Sequence, residues 1–138
     1  MSSISIDNFD DFLAIAREQT EPQRLLIVLA KRELPDGHTP AQAEQFEKGE
    51  GGHLAPIAGV DKLPEEIDSF ATFADETKQV TETWDAIFVA ALVGEAQLPS
   101  AEETDMAMEK VLHSIRDGNI SNLLVFDNEG LPLELIAG

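Results

Sequence analysis

Cysteine is missing from this chain of 138 residues. Its absence excludes disulfides, thiolate catalysis, zinc sites with Cys ligands and iron–sulfur clusters. It fits a reducing compartment, and the cytoplasm is the expected location. Positive charge is almost as scarce: nine Lys and Arg stand against twenty-seven Asp and Glu, a net charge of −18. Such a surface repels phosphate backbones and anionic bilayers, so neither nucleic acid nor membrane is an expected partner. The N-terminus, from Met1 to Asp7, has no positive region and no long apolar region, so a signal peptide is not expected. The longest apolar stretch, Ala86 to Val93, is too short to span a bilayer.

Catalytic and ligating signatures are equally sparse. No G-x-S-x-G elbow is present. The Gly-rich segment Lys48-Gly49-Glu50-Gly51-Gly52-His53 follows an expected helix and precedes an expected strand, the reverse of a phosphate-binding loop, and Glu50 would repel phosphate. His38, His53 and His113 share no metal-ligand spacing, and no D-x-D-x-D-G loop organises the carboxylates. No catalytic residue, metal or cofactor is assigned from the sequence.

What is present is a folded α/β pattern. Apolar residues make up 43% of the chain, enough for one core at this length. The whole chain, residues 1–138, reads as a single α/β domain, with disorder expected over Met1 to Ile6 and the last two residues. Asp7 is the expected cap of a first helix whose stripe is Phe9, Phe12, Leu13 and Ala16. Leu25 to Ala30 is a continuous apolar run, the pattern of a strand buried on both faces. Thr39-Pro40-Ala41-Gln42 opens a short helix with a capping box. Leu54 to Val60 reads as a weaker strand, short, bulged or at an edge, because Pro56 and Gly59 interrupt it. Leu63-Pro64-Glu65-Glu66 opens a helix with Ile67, Phe70, Ala71 and Ala74 as its stripe. Ile87 to Val93 is the second strong strand, and Ser100-Ala101-Glu102-Glu103 caps a helix that ends at Gly118. Leu123 to Phe126 and Leu131 to Leu135 flank Asp127-Asn128-Glu129-Gly130 as a terminal β-hairpin, with Pro132 at the edge.

Strands alternating with helices point to a mostly parallel, mixed sheet of about five strands covered by about four helices, ending in the C-terminal hairpin. In such sheets ligands collect at the carboxyl ends of the strands. Those ends carry Lys31 and Arg32 after the first strand and Asp61 and Lys62 after the second, which include three of the nine basic residues. These four are the expected ligand- or partner-binding residues, suited to an anionic ligand or a partner's carboxylates. Charged residues at strand ends also serve simply to solvate them.

Three stretches carry a resemblance: Glu21-Pro22-Gln23-Arg24-Leu25-Leu26, Leu54 to Glu65 with Val60-Asp61-Lys62, and Trp84 to Leu92. They resemble a family of small proteobacterial proteins of unknown function, sometimes labelled "ribonucleotide reductase subunit alpha". Catalytic subunits of that reductase use cysteines for radical chemistry, and this chain has none. The resemblance therefore implies at most an association with the reductase.

The leading expectation is a non-enzymatic interaction or regulatory protein, possessing a hairpin edge for strand addition and an acidic surface for a basic partner. The alternatives are a small ligand-binding domain or enzyme using the strand-end cluster, and an acidic chaperone of the secretion type. A homodimer is compatible with all three.

Overall fold

The computed structural model describes residues 6–33, 37, 39–47, 53–79, 81, 83–94, 96–120 and 123–133. The elements run α1 (Phe9–Arg17), β1 (Gln23–Glu33), α2 (Pro40–Glu47), β2 (His53–Lys62), a 3₁₀ turn (Pro64–Glu66), α3 (Phe70–Thr77), β3 (Ala86–Val93), α4 (Ala101–Arg116) and β4 (Leu124–Asp127). The strands form one four-stranded sheet in the order β2-β1-β3-β4. All three pairings are antiparallel.

This corrects the expected, mostly parallel sheet of about five strands. The first apolar run is buried throughout, over residues 25–30 of β1, whereas of the expected run Ile87 to Val93 only residues 87–89 are buried and Ala91 and Val93 are exposed. Such a run reports burial on both faces and says nothing of direction. Here the two faces of an antiparallel sheet are both covered, which produces the same pattern usually left by a parallel sheet. Leu25, Ile27 and Leu29 of β1 join Ile87 and Val89 of β3 and Phe126 of β4, under Phe9 and Leu13 of α1 and Phe70 and Phe73 of α3. Phe9 is the hub, with ring centroids 5.3 Å from Phe126 and 5.5 Å from Phe70. The alternate residues Leu26, Val28, Ala30, Ala86 and Phe88 face the other way, against Val111 and Ile115 of α4. The period-2 alternation of strand side chains puts one core on each face.

The segment from β1 to β2 contains α2, of which Pro40, Ala41, Gln42 and Glu44 are exposed and Ala43 is half-buried. β2 returns antiparallel beside β1 as the second arm of a long hairpin. Because β2 and β3 are each antiparallel to β1, they are parallel to each other, and the α3 connection joins them across the intervening β1. The alternation of strand and helix thus does record one parallel crossover, between strands that are not neighbours.

Local signals are realised closely. Thr39 Oγ1 accepts from the Gln42 amide and Gln42 Oε1 from the Thr39 amide. Ser100 and Glu103 exchange the same pair of bonds at the start of α4. The first helix is capped one residue later than expected, by Asn8, whose Oδ1 accepts from the Asp11 amide at 2.8 Å. The helix expected from Leu63 is split: after the 3₁₀ turn the chain extends through Ile67, and α3 restarts with Ser69 as its cap. Arg17 causes the break. Its guanidinium donates to the carbonyls of Pro64, Ile67 and Asp68, and so takes acceptors that a continuous helix would need. Asp10 Oδ1 accepts from the Phe70 amide at 2.8 Å and fixes the restart.

The C-terminal turn is present, with the Gly130 amide donating to the Asp127 carbonyl and the Asp127 amide to the Leu131 carbonyl. The return arm, however, makes a single bridge, Pro132 to Phe126, rather than a fifth strand within the described residues. The bridge is made by its neighbours, the Asp127 amide donating to the Leu131 carbonyl and the Leu133 amide to the Val125 carbonyl. The disorder expected over Met1 to Ile6 and at the last two residues lies outside the described residues except at Ile6, which is half-buried and packs on the first core. The Gly-rich segment 48–52 and His38 also lie outside them.

Candidate functional site

The antiparallel pairing decides the fate of the expected cluster. Lys31 stands opposite Ala55 and Arg32 opposite Leu54, whereas Asp61 stands opposite Leu26 and Lys62 opposite Leu25. The six residue steps from 25 to 31 separate the two pairs by roughly 20 Å along β1. Lys31, Arg32, Asp61 and Lys62 therefore do not converge, because the carboxyl ends of antiparallel neighbours point to opposite ends of a sheet. Lys31 is exposed, and the Arg32 amide donates to Asp85 Oδ2 at 2.7 Å.

Asp61 and Lys62 instead border a cavity of about 360 Å³ between β2 and α3. Leu29, Val60 and Phe73 give it an apolar floor, and Lys62, Glu76 and Thr77 stand at its wall and mouth. The placement follows from simple periodicities. Val60 and Lys62 are two residues apart on β2 and share the sheet face of Leu29. Phe73, Glu76 and Thr77 have i, i+3, i+4 spacing on α3 and share one helix face.

The polar groups of the cavity are organised as pairs. Lys62 Nζ lies 2.8 Å from Glu76 Oε1, with the Lys side chain 21% exposed and the Glu 52%. Asp61 reaches Arg24, Oδ2 to Nη1 3.4 Å, and Arg24 Nε donates to the Pro99 carbonyl at 3.2 Å. The Thr77 hydroxyl donates to the Ala74 carbonyl at 2.6 Å and accepts from Trp84 Nε1 at 2.9 Å. Among the described lining residues there is no nucleophile beside a base, and among the described residues no group of three His, Asp or Glu is placed to hold a metal ion.

β2 is also an edge strand: within the described residues it pairs only with β1. Its first half is irregular, with Pro56 in the strand and a register shift where Leu29 and Ala30 face it. Both devices discourage edge pairing. The second half, Ala58 to Lys62, keeps regular register, and four of those five residues border the cavity.

Sequence reasoning missed Leu29, Phe73, Glu76 and Thr77. The helical spacing of the last three was readable, but which strand they face was not. Phe73 sits outside the expected stripe of its helix yet is buried, whereas Met106 is 57% exposed. Among the described residues no helix is long and apolar enough to cross a membrane. No protein-family model matches the chain, and no curated protein or solved structure shows significant similarity to it.

Proposed function

We propose that this protein is a non-enzymatic interaction module that binds an extended segment of a partner protein along the outer edge of β2, with one apolar side chain of that segment entering the cavity beside α3. The observation that carries this reading is the coincidence of the two features: the regular half of an edge strand is the same stretch that borders the cavity. Strand addition supplies affinity through main-chain hydrogen bonds, and a pocket beside the edge supplies selectivity for a side chain. The apolar floor of Leu29, Val60 and Phe73 suits an aliphatic or aromatic anchor. The paired state of Lys62, Glu76 and Asp61 favours binding over acid–base chemistry, since each group is already held by a partner. The cysteine-free sequence supports a reducing, cytoplasmic setting.

The test is selection of displayed random peptides on the full-length protein, followed by amide chemical-shift mapping. Selected peptides should share an apolar anchor and move the amides of residues 58–62 and 73–77. Peptides that map to another surface, or a selection that yields none, would overturn the reading.

A further inference from the structure

The chemistry of the occupant follows from the charge around the cavity. Among its described lining residues two are acidic, Asp61 and Glu76, and one is basic, Lys62. Both acids are exposed. Lys62 is the shielded member of its ion pair, and Glu76 stands on the solvent side of it. A partner carboxylate seeking Lys62 would have to displace Glu76 and lie beside Asp61. A partner cation meets the carboxylates first.

We infer that the segment docking on β2 is basic: an apolar anchor fills the cavity while Lys or Arg residues near it lie against the carboxylates of the α3 side. This rests on the reading of β2 as the docking edge. In an extended segment, residues at i−2 and i+2 share the face of the anchor and lie about 7 Å from it along the strand. From there a long cationic side chain reaches Glu76; the neighbouring Asp75 already holds Lys78, with Nζ 3.1 Å from Oδ1. Glu76 uses Oε1 for Lys62, and its second oxygen is the natural acceptor for a partner's ammonium or guanidinium. The net charge of −18 adds a long-range field of the same sign, which speeds encounter with a basic segment and repels an acidic one. This moves the strand addition expected at the C-terminal hairpin to the edge of β2.

The experiment uses short synthetic peptides of equal length with one central Leu, flanked at the i−2 and i+2 positions by Lys, Ser or Glu. Each is titrated into the full-length protein at low and at physiological salt. Binding is read by the emission of Trp84 and by amide shifts. The Lys-flanked peptide should bind about tenfold more tightly than the Ser-flanked one at low salt, with the Glu-flanked peptide weakest, and the advantage should shrink as salt screens the pairs. The variant E76Q, which leaves the cavity floor intact, should lose most of that advantage. Equal affinity of all three peptides, shifting residues 58–62, would overturn the basic specificity and leave the docking edge standing. Binding of none, or shifts confined to another surface, would overturn both.

Discussion

The indole Nε1 of Trp84 donates to Thr77 Oγ1 at 2.9 Å, and through this bond the core and the wall of the cavity are one piece. Trp84 is 8% exposed and Thr77 4%, so both groups are largely withdrawn from water. The ring of Trp84 meets Phe70 edge-on at 6.1 Å, which ties the same indole to the aromatic cluster around Phe9. Whatever enters the cavity touches a residue that holds the sole tryptophan of the chain.

Thr77→Val should therefore destabilise the fold by about 1–3 kcal/mol, the cost of a buried donor left without an acceptor. Thr77→Ser keeps the hydroxyl and should lose less. Urea titration followed by Trp84 emission measures both. Equal losses for Val and Ser would show that the hydroxyl contributes little.

The Arg17 clamp on the segment before α3 is a second point of sensitivity. Arg17→Met retains much of the aliphatic stem but abandons the carbonyls of Pro64, Ile67 and Asp68, at a cost of about 2 kcal/mol. Arg17→Lys should recover only part of this, because one ammonium lacks the planar fork that spans several carbonyls. The midpoint of chemical unfolding decides between them.

Gly130 closes the C-terminal turn with φ +82°, and its carbonyl accepts from the Phe9 amide at 2.8 Å. A Cβ at this position would lie 3.0 Å from the Phe70 ring. Gly130→Ala should cost about 2 kcal/mol, from left-handed backbone strain together with the displaced ring. Near-ultraviolet circular dichroism should report the disturbed aromatic cluster at the same time as the lowered stability. An unaltered spectrum and stability would contradict the packing of the turn against Phe70.

Floor and rim of the cavity should respond differently. Leu29→Ala removes fully buried contacts and should cost about 2–5 kcal/mol. Lys62→Met breaks an ion pair whose Glu76 partner is half-exposed, and should change stability by less than about 1 kcal/mol. Thermal unfolding of the two variants separates the structural floor from a rim available for recognition.

The strand directions themselves are open to a direct check. Antiparallel pairs bring opposed Cα atoms to about 4.5 Å at alternate positions, so nuclear Overhauser spectra should contain strong Hα–Hα contacts between β1 and β3 and between β1 and β2. A parallel sheet would lack them.

Much of the local structure was legible because it is decided by neighbours in the chain. Ser100 finds Glu103 three residues on, Thr39 finds Gln42, and the turn from Asp127 to Gly130 closes on itself. The split before α3 was not legible, because its cause, Arg17, lies roughly fifty residues away in sequence. The candidate site was half legible. Asp61 and Lys62 do border a cavity, but their expected companions Lys31 and Arg32 stand at the far end of the sheet, and the real companions lie on α3.

The sequence by itself determined that residues 25–30 are buried, where the helices capped by Thr39 and Ser100 begin, and that the chain is strongly acidic. These depend on composition and on spacing within a few residues. Only the tertiary structure decided strand direction and order, because residues 25–30 bury both faces whichever way the neighbouring strands run. Direction in turn decided the site: antiparallel β1 and β2 part Lys31 and Arg32 from Asp61 and Lys62, and the return of α3 over β2 sets Glu76 against Lys62. The scarcity of positive charge, evident from the first reading, acquires a place only there, where one shielded lysine shares the cavity with two exposed acids, Asp61 and Glu76.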